Sequence, residues 1–258
     1  MGYAYLFKKE SELSYNMASK DSVPYLYIPD LRYAGIEHFF ATRKAAGHHS
    51  IPFSLREKFV MVKQVHGDNI LVMDKPLEDV SVFIKDVTQK PCDAIITNQE
   101  NIGIGVVTAD CLPVLLYDPT RSVIAAIHAG WRGTLQQILP KVVCQMISVF
   151  RCQVEDIIAG MGPSIGPCCY TVGKAVTEPL KSVNPEWEKY LTPSEDGKAK
   201  LDLTSLNIRQ IEDAGILGKN IFSVRLCTAC NEGLFFSYRR DGVGTGRMIS
   251  GILMTGDE

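Results

Sequence analysis

Apolar positions along this chain fall into short runs broken by polar turns, and these alternate with stretches in which apolar residues recur at helical spacing. Residues 3–7 and the YLYI run at 25–28 read as short strands. Ile36–Thr42 (IEHFFAT) reads as another, ending at Arg43, with RKAAGHHS as the loop after it. Phe53–Val65 is expected to start as helix and become strand or loop near KQVHG, and Asn69–Met73 (NILVM) has strand composition. Ile102–Thr108, Val114–Tyr117 and Val123–His128 follow as strands. The short turn DPTRS between the last two predicts antiparallel pairing rather than a crossover. From Thr134 to Phe150, Leu135, Ile138, Leu139, Val142, Val143, Met146, Ile147 and Phe150 repeat as one face of an amphipathic helix, which Pro140 is expected to kink or break. Ile157–Met161 is a strand leading into the loop GPSIGPCCY. Residues 173–190 hold more helix interrupted by prolines, Leu203–Ala214 is helical, and Ile221–Arg225 and GRMISGILM are strands. Helices and strands interleave with several hairpin-like joins, which predicts an α/β or α+β fold with a mixed sheet.

Composition narrows the function classes. The 258 residues fit one large domain or two small ones, with no repeat, low-complexity segment or Pro/Ser-rich linker. A net charge of −2, with no basic field, argues against nucleic acid as a partner. No apolar run reaches the ~18 residues of a membrane span, and MGYAYLFKKESELS lacks the apolar region of a signal peptide, so a cytoplasmic protein with no membrane contact is expected. In such a chain the eight cysteines are expected to be ligands and free core thiols rather than disulfides. Cys92, Cys144 and Cys152 have no ligand-like surroundings.

Cys111 and His128 stand just beyond strand-like runs, and His66 lies upstream in KQVHG. One thiolate and two imidazoles make three zinc ligands and leave a fourth position for water, the arrangement of a catalytic rather than a structural site. Such an ion carries a net charge of about +1 with these ligands and eases loss of a proton from water. Thiolate and imidazole also suit Cu(I). Each of the three taken alone reads as an ordinary core residue; it is the combination that points to metal. Asp110 falls on the opposite strand face from Cys111 if the strand continues, either hydrogen-bonded to a ligand histidine or acting as an acid/base. Cys168 and Cys169 read as part of a packed loop. Cys227-Thr-Ala-Cys230 matches C-x-x-C, but without a second such pair or a βαβ context it reads as structural thiols.

Together, KQVHG, TADCLPVLL, HAGWRG, GPSIGPCCYTVG and FFSYRRDG…TGRM resemble the YfiH family, also called the laccase-domain or polyphenol-oxidase-like family, over about Ile36 to Met254. The resemblance implies a single-domain, three-layer α/β/α architecture with a mixed sheet across 1–258, and a zinc centre at His66, Cys111 and His128. It implies phosphorolysis of adenosine, inosine or guanosine, cleavage of methylthioadenosine, and adenosine deamination, with purine nucleosides and phosphate as partners. Copper-dependent polyphenol oxidation and editing of peptidoglycan precursors are also attached to the family. For phosphorolysis, phosphate must be held against C1′ of the ribose by cations and backbone N–H groups. By position and resemblance Arg43 and Arg132 are the candidates, with a salt bridge as the alternative for Arg43. Arg239 and Arg240 either contact substrate or lock the C-terminal segment. Two other classes compete. One is a metal-free cysteine hydrolase with Cys111 as nucleophile and His128 as base. The other is a non-catalytic binding protein with a vestigial site. Five histidines, two of them in ligand motifs, are too few for a multicopper oxidase.

Overall fold

The computed structural model describes residues 15–20, 23–33, 35–45, 59–75 and 88–255. The strand expected at 3–7, the helical start expected at Phe53 and the loop residues His48 and His49 lie outside them. The strands are β1 (Asn16–Lys20), β2 (Val23–Tyr27), β3 (Ile36–Ala41), β4 (Phe59–Val60), β5 (Ile70–Met73), β6 (Ala94–Thr97), β7 (Ile102–Thr108) and β8 (Leu112–Asp118). They continue with β9 (Val123–Ala129), β10 (Ile158–Met161), β11 (Thr171–Val172), β12 (Leu191–Pro193), β13 (Ala199–Leu201), β14 (Ile221–Ser223) and β15 (Met248–Met254).

The α/β class with mixed strand directions is what the chain adopts. Two six-stranded sheets run in the orders β1-β2-β3-β15-β7-β4 and β14-β10-β8-β9-β6-β5, and a small antiparallel sheet runs β11-β13-β12. In the first, β4 is parallel to β7 and the remaining pairs are antiparallel; in the second, β10–β14 and β5–β6 are the parallel pairs. β8 and β9 form the expected antiparallel pair. Their turn closes because Asp118 Oδ1 accepts the backbone N–H groups of Thr120 and Arg121 at 2.8 and 3.0 Å.

The second sheet is buried on both faces, which is why its strands read as nearly continuous apolar runs. With side chains alternating, Ile95, Leu115, Ile124 and Ala126 enter the core shared with Phe40, Ile104 and Ile252 of the first sheet. Ile96, Val114, Leu116, Ala125 and Ile127 enter a second core with Leu139, Val142, Val143 and Met146 of the helix Ile138–Phe150 and with Leu206 and Ile211 of the helix Leu203–Asp213. Each buried Val, Leu, Ile, Met or Phe among these stabilises the fold by about 1.5–3 kcal/mol.

The helix expected at Thr134–Phe150 is two helices, Trp131–Leu135 and Ile138–Phe150. The break falls at Gln137, in the left-handed region at φ 58°, ahead of Pro140. Pro140 lies in the first turn of the second helix, where its missing N–H has no carbonyl to serve. A helix does cover Lys174–Val183, with Pro179 inside it, and a 3-10 helix follows over Pro185–Tyr190. No helix among the described residues is long and apolar enough to cross a membrane.

Candidate functional site

β7 and β8 are adjacent in sequence but belong to different sheets, and Ala109–Asp110–Cys111 carries the chain across. Asp110 adopts φ 90°, a conformation that L-residues rarely take. Three contacts hold it there. Thr228 Oγ1 donates to Asp110 Oδ1 at 2.6 Å, the Arg239 N–H donates to Oδ2 at 2.6 Å, and the Ile165 N–H donates to the Asp110 carbonyl at 2.9 Å. The strand does not continue through Asp110, and its carboxylate bonds Thr228 and the Arg239 N–H rather than a ligand histidine. It pins the segment that presents Cys111.

The carboxylate that orients a histidine is Asp93, fully buried at the start of β6. Its Oδ1 lies 2.7 Å from Nδ1 of the buried His128 on β9. The same carboxylate accepts the backbone N–H groups of Val65, His66 and Gly67 at 3.2, 2.9 and 2.7 Å, holding His66 at φ 61°. Just before this turn, Gln64 acts as a surrogate strand. Its Nε2 donates to the Val107 carbonyl at 2.8 Å and its Oε1 accepts the Val107 N–H at 2.7 Å. β6, β7 and β9 thus fix His66 and His128 together, with ring centroids 4.8 Å apart and planes at 83°.

One ligand atom from each of His66, Cys111 and His128 lies within 4.8 Å of the others. Asp93 occupies Nδ1 of His128, which leaves Nε2 as the donor toward the thiol. Gly130 permits the approach, because a Cβ there would stand 3.0 Å from Cys111 Sγ and 3.4 Å from His66 Cδ2. One soft sulfur and two imidazoles fit a zinc ion with a position to spare. Without metal the pair is strongly polarised. Burial pushes the Cys111 thiol up, but hydrogen bonds from His128 and then His66 outweigh it and bring the pKa down to about 6. Burial pushes His128 down, but Asp93 and Cys111 raise it to about 9. Asp93 is held below its ordinary range: its burial is outweighed by the His128 bond and the backbone N–H groups.

The three donors open on a cavity of about 630 Å³. Arg132, Arg239 and Arg247 line it, with Trp131, Tyr170 and Tyr238 as aromatic surfaces. Arg132 stacks 4.5 Å over the Trp131 ring, and the Arg239 guanidinium lies 5.2 Å over Tyr170 and donates to the Thr171 carbonyl at 2.8 Å. Burial and the Cys111 charge raise the Tyr170 pKa, so its phenol stays protonated. Two of the expected substrate arginines are elsewhere. Arg43 donates to the Glu232 carbonyl at 2.7 Å and stacks on Phe236, and it is absent from the cavity lining. Arg240 donates to the carbonyls of Thr228, Ala229 and Phe235 and pairs with Asp241, so it locks the C-terminal segment.

An α/β chain that crosses between two mixed sheets at a Cys and gathers two His beside it defines the laccase-domain class of proteins. The family model described as multi-copper polyphenol oxidoreductase laccase matches residues 41–255, and this chain belongs to that family, the YfiH family. An adenosine deaminase (RL5) from an unknown prokaryotic organism is 34% identical over 197 residues, covering 76% of this chain and 75% of the relative. A purine nucleoside phosphorylase of Bacteroides thetaiotaomicron is 31% identical over 250 residues, covering 86% and 93%. The crystal structure of the hypothetical protein YfiH from Bacillus licheniformis aligns with a TM-score of 0.81 at 28% identity, covering 91% of this chain and 98% of that one.

Proposed function

We propose that this chain is a zinc-dependent purine nucleoside phosphorylase, acting on adenosine, inosine, guanosine and methylthioadenosine, with adenosine deaminase activity. The observation that carries the reading is the convergence of His66, Cys111 and His128 on one wall of a cavity whose other walls offer three arginines and three aromatic rings. The names of the relatives support it. His66, Cys111 and His128 would hold the ion, which when bound supplies Lewis acidity and eases loss of a proton from water.

The chain's own residues account for the rest. In phosphorolysis a phosphate oxygen bonds to C1′ as the C1′–N9 bond breaks, and the electron pair leaves with the purine. Arg132, Arg239 and Arg247 supply the positive field that holds phosphate. Trp131, Tyr170 and Tyr238 offer faces to the base, and the protonated Tyr170 hydroxyl is a donor toward it. Asp93 keeps His128 in one tautomer, and Asp110 keeps the Cys111 turn in place. Deamination exchanges the C6 amino group of adenosine for a water oxygen and releases ammonia.

Phosphate-dependent release of adenine and hypoxanthine from adenosine and inosine, with zinc counted on the same sample, tests the reading. Base release that needs phosphate, about one zinc at this centre, and loss of both in His66→Ala, Cys111→Ala and His128→Ala are expected. Normal phosphorolysis in all three variants would overturn it. The lowered Cys111 pKa beside His128 favours a second reading, a metal-free cysteine hydrolase. That reading predicts inactivation by alkylation and indifference to chelators.

A further inference from the structure

A second group of thiols lies outside the catalytic cavity. The loop Gly166–Tyr170 carries Cys168 and Cys169, and the turn after β14 carries Cys227 and Cys230. These segments lie some sixty residues apart in sequence, yet the four sulfurs all stand within 4.8 Å of one another. Cys230 Sγ is 3.4 Å from the sulfurs of both Cys168 and Cys169. An S–S bond of about 2.05 Å would single out one pair, whereas here one sulfur is equidistant from two, as around a common centre. A tetrahedron of sulfurs at the ordinary zinc–sulfur distance of about 2.3 Å has edges of about 3.8 Å, within this range.

We propose that Cys168, Cys169, Cys227 and Cys230 form a second metal site, a closed four-thiolate centre for zinc with a structural role. The set is all sulfur, with no imidazole and no carboxylate, which selects a soft or borderline d¹⁰ cation and leaves no position for substrate. The surroundings are shaped for it. The Gly166 N–H donates to Cys227 Sγ at 3.3 Å, and a Cβ on Gly166 would press on Cys168 Sγ and Cys227 Cβ, each at 3.3 Å. Arg225 and Asp202 line the same recess. Each thiol gives up its proton as the ion binds, so four thiols and Zn²⁺ yield a dianionic centre and four protons. Cys168 and Cys230 are exposed, which gives the ion an entry path.

The site would join the two segments that wall the catalytic cavity. Tyr170 follows Cys169 directly, and the Cys169 carbonyl accepts from Arg239 at 3.2 Å. Thr228, between Cys227 and Cys230, holds Asp110.

The test uses the full chain carrying His66→Ala and His128→Ala, so that any tight metal must sit at the cysteines. About one zinc per chain is expected, with four sulfurs at about 2.3 Å by X-ray absorption. Cobalt(II) in its place should give intense thiolate-to-metal absorption. Adding Cys168→Ser and Cys230→Ser should remove the ion and that absorption. A folded His66→Ala/His128→Ala variant that binds no zinc, a zinc with nitrogen or oxygen ligands, or a disulfide among these four cysteines in freshly isolated protein would each overturn the proposal. The X-ray absorption measurement needs only the histidine variant, so the test stands even if the serine variant fails to fold.

Discussion

The two thiol clusters differ in what holds them. His66, Cys111 and His128 are fixed by the sheets: β7, β8 and β9 supply the positions, and one buried carboxylate, Asp93, ties two of the three donors. The four cysteines sit on loops, with the Gly166 backbone N–H aimed at the Cys227 sulfur. The first cluster is set by strands and faces a cavity; the second spans two loops that a backbone bridge between Ser164 and Cys227 already brings together. Mixed donors on rigid strands suit chemistry, and uniform donors on loops suit fastening.

Removing a donor from each cluster sharpens that contrast most. Cys111→Ala should lower kcat/KM for phosphorolysis by about 10³-fold, or about 4 kcal/mol, with little change in the melting curve. Cys168→Ser should do the reverse: activity per folded molecule within a few fold, but faster proteolysis of the 166–170 loop. Steady-state kinetics and limited proteolysis on both variants check this. Asp93→Ala probes how the rigid cluster is built. It strands three backbone N–H groups and the His128 Nδ1, so a loss of about 1–3 kcal/mol in stability and of 10- to 100-fold in zinc affinity at the catalytic centre is expected in denaturation and metal-competition titrations. Arg247→Ala should raise the KM for phosphate several fold, whereas Arg43→Ala, already engaged with Glu232 and Phe236, should leave it unchanged.

A further effect concerns a buried imidazole that belongs to neither cluster. His38 is lowered to about 3 by burial and by the charge of Arg32, and its Nε2 accepts the Ile28 N–H at 2.9 Å. Its folded pKa lies below the unfolded value of 6.5, so the unfolded chain binds the extra proton between the two. The stability it contributes is full above pH 6.5 and falls as pH drops toward 3, by up to about 1.4 kcal/mol per unit. Urea midpoints measured from pH 7 to 5 should fall less in His38→Gln than in the parent.

His66, Cys111 and His128 were legible because each ends or follows an apolar run inside a short motif. Asp93 was not. It opens an unremarkable strand, and its partners lie 26 to 35 positions away. Nor was the joining of Cys168 and Cys169 to Cys227 and Cys230, since a loop contact across sixty residues leaves no local periodicity. Strand positions read well in the described parts, but the division into two sheets did not. It turns on the backbone of Asp110, and an aspartate at positive φ looks like any other in sequence. The break at Gln137 rather than Pro140 follows the same lesson: proline is disruptive only where its N–H is needed.

β15 lies inside the first sheet, where Ser250 pairs with Phe40 on one side and Val106 on the other. Protein synthesis runs from the N-terminus, so β3 and β7 leave the ribosome with the place between them empty. At about 5–20 residues per second the wait from β7 to β15 is on the order of ten to thirty seconds. During that interval two apolar strand edges must be kept from pairing with other chains, so the yield of folded protein in a cell should depend on chaperone capacity more than its final stability would suggest.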